Sequence, residues 1–504
     1  MRKLLGFFVA FCVVVVPLPR AFALATAKIG IDIRTLEPSD RIEKKIPFGV
    51  FIERVAADSP AARVGLEPGD VILAVDTQPV TSATEFVRAL KAFGEQDAIS
   101  LTVIAKNGKE AVVALRLDGE SLSSRDTSSR SVADQDDQPR KYSYKRAYKS
   151  SKSQSPSSVS PPSKSPSQDL CGNGECTPVK VYYATDRRGK NDPSLGRTYS
   201  AERISNQSIE TGICWVTIPK AHEVGEIEVP SLVWLEFHQD PSKHIIVART
   251  NELDSGSFYN NAREDLIKAP TNSALIYVHG YWNTFEAAAQ RTAQLAFDLK
   301  FKGLPVFFSW PSQGRFFGYT MDETNVEWAA TDLRRFLRDF VRRTDVEHVY
   351  LVAHSMGNRA LLKAIAPLMT GDSAVRSKIT EVILAAPDID AEVFKREIAP
   401  MIFTGSPAST LYASSRDWAL RASRYFHGYP RAGETDEGLT IVSNVATIDA
   451  SNVDTDWLGH AYFSQSKSII SDIDQIFEGV NNPDNRENID AGDFNGAKYW
   501  VLAK

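Results

Sequence analysis

Val349-Tyr-Leu-Val-Ala-His-Ser-Met-Gly-Asn-Arg359 is the stretch that decides the fold. An apolar run leads into Ser355, which has small residues two positions before and after it, and a helix-forming segment follows at once. Strand, sharp turn and helix in this order form the pattern of a nucleophile elbow, in which the crowded turn leaves no room for larger flanking residues. The turn exposes the serine hydroxyl above the sheet. The sequence therefore predicts Ser355 as a nucleophile.

The same residues would also fit an ordinary strand-to-helix turn in which Ser355 caps the helix. The first flanking position is Ala353 and not the glycine of the strict motif. The flanking strand and helix favour the elbow. A catalytic role for Ser355 also requires a base, an acid and oxyanion donors elsewhere in the chain.

Length and composition indicate a soluble protein of several domains. The chain has 504 residues, which is too long for one core and predicts two or three domains. Hydrophobic residues make up 43% and charged residues 24%, as in ordinary globular proteins. The net charge of −5 gives no reason to expect nucleic acid or an anionic membrane as the main partner. No metal-ligand spacing or cofactor motif is visible, so we expect neither a metal nor an organic cofactor.

The N-terminus has the pattern of a secretory signal. Arg2 and Lys3 precede an apolar run from Leu4 to Val16, and small residues spaced for cleavage lead up to Ala27. We expect residues 1–27 to be a signal peptide and the mature chain to be exported, periplasmic or secreted, without a membrane span. The alternative is an uncleaved anchor, but the run is shorter than the about 20 apolar residues that a span needs.

Three cysteines remain after this segment, and export favours a disulfide between two of them. Cys171 could pair with Cys176 across a short loop, or either could pair with Cys214. The sequence does not decide between these pairings.

Residues 28–119 form one unit of strands around a short helix. The strand-like run Phe48–Ile52 is followed by Ser59-Pro-Ala61 and by Gly65-Leu-Glu-Pro-Gly-Asp-Val-Ile72. These residues resemble a PDZ domain of the bacterial periplasmic-protease type, a small β-rich α+β fold. The resemblance implies that a peptide or protein C-terminus is bound as an added strand. By position it implies the backbone N–H groups of Phe48, Gly49, Val50 and Phe51 as the carboxylate-binding loop. A fold used only as a spacer or docking surface is the alternative.

Composition divides the rest of the chain into three parts. Residues 120–176 are rich in Ser, Lys and Pro and nearly free of apolar residues, so they are predicted to be a disordered linker. Residues 177–480 alternate apolar strand-like runs, including Leu232–Phe237 and Leu439–Val445, with helical patterns. This pattern predicts an α/β fold with a mostly parallel sheet covered by helices on both faces, with an antiparallel edge built from the earlier strands. Residues 481–504 are predicted to be a polar, extended tail.

The other members of a catalytic triad follow later strands. Asp417 comes after a strand that ends at Ala413, and His460 lies between the last strand and the last helix of the domain. The order Ser, Asp, His is that of α/β-hydrolases. His460 would take the Ser355 proton, and Asp417 would hold the imidazole in the correct tautomer. Asp388 and Asp390, which follow the preceding strand, are rival acids.

A second strand ends in a turn suited to oxyanion binding. Ile276-Tyr-Val-His-Gly-Tyr281 closes an apolar run just before a helix, so we expect the backbone N–H groups of Tyr281 and Met356 to form the oxyanion hole. His279 could also serve as a base, but its position favours a structural role in packing the turn.

Together these motifs resemble a bacterial α/β-hydrolase family of unknown function within the esterase/lipase superfamily. The resemblance depends on the two turns just described and on the stretches Tyr182–Arg187, Gly212–Pro219, Phe308–Ser312, Ala386–Asp390 and Gly459–His460, which occur in the same order. It implies the fold and hydrolase chemistry but no substrate, and in that family Ala353 is a normal elbow residue.

The sequence thus predicts a serine hydrolase that acts on a carboxylic ester, or on an amide, through an acyl-enzyme. Two alternatives remain. One is an inactive hydrolase fold that serves as a scaffold, and the other is a peptidase that recruits polypeptides through its PDZ domain.

Overall fold

The computed structural model describes residues 29–37, 40, 44, 46, 48–75, 78–80, 82–91, 98–108, 110–116, 170–171, 174–205, 208–228, 240–314, 319–405, 408–436, 438–453 and 466–503. The predicted signal peptide, nearly all of the predicted linker, the predicted strand Leu232–Phe237 and the predicted base His460 lie outside these residues.

In the described part of the N-terminal domain, a small sheet packs with the helices α1 (Pro60–Arg63) and α2 (Ala83–Lys91). The sheet order is β1-β2-β3-β5-β6, with β4 paired to β3. The strands are β1 (Ile31–Thr35), β2 (Val50–Val55), β3 (Val71–Val75), β4 (Gln78–Pro79), β5 (Ala98–Ile104) and β6 (Glu110–Arg116). Because neighbouring side chains of a strand face opposite sides, Ile72 packs with α2, whereas Val71 and Leu73 belong to a separate apolar cluster on the other face.

Within the described residues, thirteen strands form the sheet of the second domain, in the order β18-β19-β17-β16-β15-β14-β12-β13-β7-β10-β11-β9-β8. The pairs from β7 through β13, β12, β14, β15, β16 and β17 to β19 are parallel. At the other end, β10 pairs antiparallel with both β7 and β11, which confirms the predicted antiparallel edge. The strands are β7 (Cys176–Thr185), β8 (Arg187–Asp192), β9 (Gly196–Arg203), β10 (Glu210–Pro219), β11 (Ile246–Leu253), β12 (Ser273–Val278), β13 (Leu304–Ser309), β14 (His348–His354), β15 (Ile379–Ala385), β16 (Ala408–Ala413), β17 (Ala446–Asp449), β18 (Ile489–Phe494) and β19 (Ala497–Leu502).

Helices cover both faces of this sheet, as the continuous apolar strands predict. Residues of α3, α5 and α6 pack on one face, and residues of α4 and α11 pack on the other. The helices are α3 (Ser255–Lys268), α4 (Phe285–Asp298), α5 (Tyr319–Thr344), α6 (Gly357–Gly371), α7 (Ser373–Arg376), α8 (Ala391–Val393), α9 (Ala399–Phe403), α10 (Trp418–His427) and α11 (Lys467–Phe477). A π-helical turn, Phe394–Ile398, joins α8 to α9, and a 3-10 turn, Pro483–Asn485, follows α11.

The prediction of a polar tail for residues 481–504 is wrong. Strands β18 and β19 form an antiparallel hairpin, and β19 pairs in parallel with β17 at the edge of the sheet. The tight turn at Asn495-Gly496 has φ values of 54° and 80°, the left-handed geometry that an Asn-Gly pair favours in hairpins. The last predicted strand lies at Ala446–Asp449 and not at Leu439–Val445. The structure also contains helix α3, which the sequence analysis does not predict.

Cys171 and Cys176 form the disulfide, and Cys214 is a buried free cysteine. Of the possible pairings, the structure therefore selects the short loop. None of the helices within the described residues combines the length and the apolar character that a membrane crossing requires.

Candidate active site and peptide-binding edge

Ser355 lies in a sharp turn between β14 and α6. Its φ of 52° is in the left-handed region, which residues other than glycine seldom adopt. Its carbonyl oxygen accepts hydrogen bonds from the backbone N–H of Asn358 at 3.1 Å, from Nδ2 of Asn358 at 2.9 Å and from the backbone N–H of Asp388 at 3.3 Å. These bonds fix the strained turn from both sides, which is the backbone geometry of an elbow.

The two glycines beside Ser355 are required by close backbone contacts. A Cβ added to Gly357 would lie 2.3 Å from the carbonyl oxygen of His279. A Cβ added to Gly280 would lie 2.8 Å from Cβ of Ser355. The turn after β12 therefore touches the turn after β14. The predicted oxyanion donors, Tyr281 and Met356, belong to these two adjoining turns, and Met356 caps α6, where helix N–H groups lack intrahelical acceptors.

His279 is buried in the turn after β12 and packs there, which confirms its predicted structural role. Its ring stacks on Trp310 at a centroid distance of 5.0 Å, and Nδ1 lies 2.9 Å from the carbonyl oxygen of Gly280. Nε2 lies 3.2 Å from the hydroxyl of Ser309. Burial and then the nearby Arg187 guanidinium lower the pKa of His279 to about 3, so the ring is neutral.

Arg187 supports the same turn, and sequence reasoning gave it no role. The guanidinium is fully buried and donates to the carbonyl oxygens of Asn283 at 2.8 Å and Ser312 at 3.0 Å, and to the hydroxyl of Ser309 at 2.8 Å. Arg187 therefore connects β13 and the loop after it to the turn after β12. A charged residue directly after the apolar run of β7 is the signal that could have identified it.

Asp417 is fully buried at the N-terminus of α10, four positions beyond the end of β16. One carboxylate oxygen accepts the backbone N–H of Leu420 at 2.9 Å. In the sheet, β15 lies between β14 and β16. Because the three strands are parallel, Asp417 lies at the same edge as Ser355.

Asp388, the rival acid, is held by other groups. Its Oδ1 accepts from Nε of Arg431 at 2.8 Å and from the hydroxyl of Ser423 at 2.5 Å. Its Oδ2 accepts from the hydroxyl of Tyr319 at 2.7 Å and from Arg359 at 3.2 Å. Burial alone would raise the pKa of Asp388, but Arg359 and Arg431 outweigh it and hold that pKa well below its usual range. Both oxygens thus bind side chains of α5, α6, α10 and the segment that follows α10. Asp390, the other rival, caps α8 through its side chain.

His460 lies outside the described residues, so the structure does not test its role. In the sequence it falls between β17, which pairs in parallel with β16, and α11.

The predicted peptide-binding loop, Phe48 to Phe51, needs correction. Val50 and Phe51 pair with β1 on one side and with β3 on the other, so their backbone groups face neighbouring strands and not a ligand. Gly49 is explained by packing, because an added Cβ would lie 2.7 Å from Cγ1 of Val71.

Among the described strands, β1 and β6 lie at the two edges of this sheet, and β1 begins directly after Gly30. Helix α2 lies beside β1, and the backbone N–H of its first residue, Ala83, donates to the hydroxyl of Thr35 at 3.0 Å. Gly30 has a φ of 77°. A glycine turn thus also precedes β1, which is an edge strand, and only the sheet order distinguishes this turn from the one at Gly49.

Comparison with known proteins places families on both domains. Residues 254–478 match the family described as "Alpha/beta hydrolase of unknown function (DUF900)", and residues 51–104 match the PDZ domain family. The chain thus carries a PDZ domain followed by an α/β-hydrolase domain, which confirms the predicted resemblance and fold class.

Curated relatives match the PDZ part. A probable periplasmic serine endoprotease DegP-like of Pseudomonas fluorescens is 32% identical over 90 residues, 18% of this chain and 18% of the relative. The mitochondrial serine protease HTRA2 of Bos taurus is 36% identical over 92 residues, 17% of this chain and 19% of the relative. The chain therefore spans less than a fifth of the length of these relatives.

Two solved structures are similar over the same part. The HtrA3 PDZ domain bound to a phage-derived ligand is 30% identical, with 18% of this chain and 81% of that chain covered and a TM-score of 0.16. The HtrA-type protease AlgW with a decapeptide is 25% identical, with 20% of this chain and 34% of that chain covered and a TM-score of 0.16.

Proposed function

We propose that the C-terminal domain is a serine hydrolase that cleaves carboxylic esters through an acyl-enzyme. The observation that carries the proposal is the contact between the strained Ser355 turn and the turn after β12. This contact sets a hydroxyl beside two segments whose N–H groups suit a developing oxyanion. The α/β-hydrolase family match supports the same chemistry.

In the proposed reaction, Oγ of Ser355 forms a bond to the substrate carbonyl carbon while its proton passes to His460. The N–H groups of Tyr281 and Met356 bind the negative oxygen of the tetrahedral intermediate. The bond to the leaving oxygen then breaks, and His460 returns the proton to that oxygen. Water then forms a bond to the acyl carbon while His460 takes its proton. The bond from that carbon to Oγ of Ser355 breaks, and His460 returns the proton to Oγ. Asp417, buried and close to the same edge, orients the imidazole and stabilises its positive form.

The PDZ domain is proposed to bind a peptide or protein C-terminus along β1. The peptide would add as a strand between β1 and α2, with its carboxylate at the Gly30 turn. A peptide with a free carboxylate should bind the full chain more tightly than the same peptide amidated. Equal affinity of both forms would contradict C-terminal recognition.

Export is also part of the proposal. The N-terminal signal pattern and the Cys171–Cys176 disulfide both fit an oxidising compartment outside the cytoplasm. Relatives of the PDZ part carry the description periplasmic.

Hydrolysis of aryl esters with graded acyl length tests the proposed activity. We expect turnover by the full chain, loss of at least about 10³-fold in kcat for Ser355→Ala, and full activity for Ser377→Ala, an exposed serine at the C-cap of α7. Faster cleavage of peptide amides than of esters would favour the peptidase. No turnover of any ester or amide by folded protein would favour the scaffold.

A further inference from the structure

The two domains touch at an apolar contact beside the proposed active site. On the PDZ side, Leu36, Ile46, Phe48, Val71, Leu73 and Ile104 form a buried cluster. We call it the docking cluster. Phe51 of the PDZ domain, together with Trp282 and Ala422 of the hydrolase domain, packs against it.

Both hydrolase residues lie on segments that also carry a proposed catalytic group. Trp282 directly follows Tyr281, the proposed oxyanion donor. Ala422 lies on α10, the helix that Asp417 caps. The contact therefore reaches the turn that would bind the oxyanion and the helix that carries the proposed acid.

Trp282 has a φ of 62°, which is in the left-handed region. A bulky side chain keeps such a conformation only when its surroundings enforce it. The described surroundings of Trp282 include the docking cluster of the other domain. The PDZ domain therefore helps to hold the backbone next to Tyr281.

The docking cluster leaves the peptide edge available. It contains Val71 and Leu73, which face away from α2, whereas Ile72 packs on the α2 side. Strand β1 leads directly into Leu36, a member of the cluster. A strand added along β1 would thus have one end near the contact with the hydrolase domain.

From these observations we infer that the PDZ domain is an intramolecular partner of the active-site rim, docked through this cluster to position the oxyanion turn. Because the domains are covalently joined, a small apolar contact suffices for docking. Trp282 and Ala422 are positioning residues in this arrangement. The inference rests on the proposed function for its catalytic consequence, but the docking itself is measurable without activity.

Hydrogen–deuterium exchange of the full chain tests the docking. Ala422→Arg places a charged side chain in the contact, and Phe51→Ala removes apolar surface from the other domain. We expect each variant to increase exchange both at residues 281–283 and at residues 48–51, and so across the domain boundary. Ala422→Ser and Ala374→Arg, the latter at an exposed position of α7, should exchange as the wild type does. An increase confined to the domain that carries the substitution would overturn the docking.

The rate of fluorophosphonate labelling at Ser355 tests the consequence. Ala422→Arg and Phe51→Ala should each slow labelling about tenfold, since a misplaced oxyanion donor weakens transition-state binding, while the thermal unfolding of the hydrolase domain is unchanged. Ala422→Ser, the conservative control, should be labelled at the wild-type rate. Equal rates in all variants would overturn the positioning role. Absence of labelling in the wild type would instead refute the proposed function, and exchange would still decide whether the domains dock.

Discussion

At the scale of single residues, the proposed chemistry depends on unusual backbone positions. Ser355, Trp282 and Ala386 all have positive φ values, and each lies just beyond the C-terminal end of a central strand. Such conformations persist only where the surroundings enforce them, and they concentrate at functional sites. At Ser355 the enforcing groups are Gly280 and Gly357, which let neighbouring turns approach, and the buried Asn358 side chain.

Gly280→Ala tests the contact between the two turns. The added Cβ would lie 2.8 Å from Cβ of Ser355 and 3.0 Å from the carbonyl oxygen of His354, so the oxyanion turn must move. Because a shift of about 1 Å can cost 10²-fold in rate, we expect kcat for an aryl ester to fall by about that factor. Gly371→Ala, where an added Cβ meets no atom within 4 Å, serves as the control and should keep full activity.

The choice of triad acid is tested by comparing Asp417→Asn with Asp388→Asn. Loss of the Asp417 charge should lower kcat by about 10⁴-fold, as expected for a wrong imidazole tautomer, with little loss of stability. Asp388→Asn leaves Arg359 and Arg431 buried without their shared carboxylate. It should lower the free energy of unfolding by about 3 kcal/mol. Chemical denaturation and steady-state kinetics of both variants measure the two effects. A large loss of kcat in Asp388→Asn together with a large loss of stability in Asp417→Asn would indicate Asp388 as the acid.

At the scale of elements, strand order explains what the sequence could and could not predict. The apolar run before Ser355 and the helix after it identified β14 and α6, because continuous apolar strands and helical spacing are local signals. The peptide-binding loop was misplaced because both β1 and β2 begin after a glycine, and only pairing reveals which strand is at the edge. The hairpin β18–β19 was missed although its Asn495-Gly496 turn is a recognised local signal.

The C-terminal hairpin is anchored by Arg486, whose guanidinium is almost fully buried beside Asp472 at 3.3 Å. Removing the cation leaves the buried Asp472 carboxylate with the Tyr412 hydroxyl but without Arg486, so Arg486→Ala should lower the free energy of unfolding by about 3 kcal/mol or more. Lys498→Ala breaks an ion pair with Asp484 in which both side chains are well exposed, and it should cost less than about 1 kcal/mol. Urea denaturation measures both. Equal effects would show that the buried pair does not anchor the hairpin.

His222 joins the end of α4 to the segment after β10. Its nitrogens lie 2.9 Å from Glu228 and 2.8 Å from Asp298. Burial alone would lower the pKa of His222, but Asp298 and then Glu228 raise it to about 9.

Because this pKa is raised on folding, the stabilisation is complete below the ordinary pKa of about 6.5 and is lost as the pH rises through about 9. We expect His222→Gln to cost on the order of 3 kcal/mol at pH 6 and much less near pH 10. His348→Gln, at an exposed position, is the control. A cost that does not change with pH would contradict the charged pairing.

At the scale of the whole molecule, the division into domains was predictable because composition changes sharply along the chain. The contact between the domains was not predictable, since apolar residues such as Val71 and Leu73 are expected in the strands of a PDZ domain whether or not a second domain covers them. The partners of Arg187 were equally hidden, because Ser309 at the end of β13 and Asn283 in the loop after β12 lie far from Arg187 in sequence. Local patterns thus identified the proposed nucleophile, but the contacts that support it became visible only in the tertiary structure.

The central claim is that Ser355 is an activated nucleophile. Treatment of the folded full chain with a fluorophosphonate, followed by mass spectrometry of its peptides, tests this directly. We predict a single adduct on Ser355, abolished in Ser355→Ala and in His460→Ala and retained in Ser377→Ala. Folded protein that forms no adduct, or forms it on another serine, would contradict the claim.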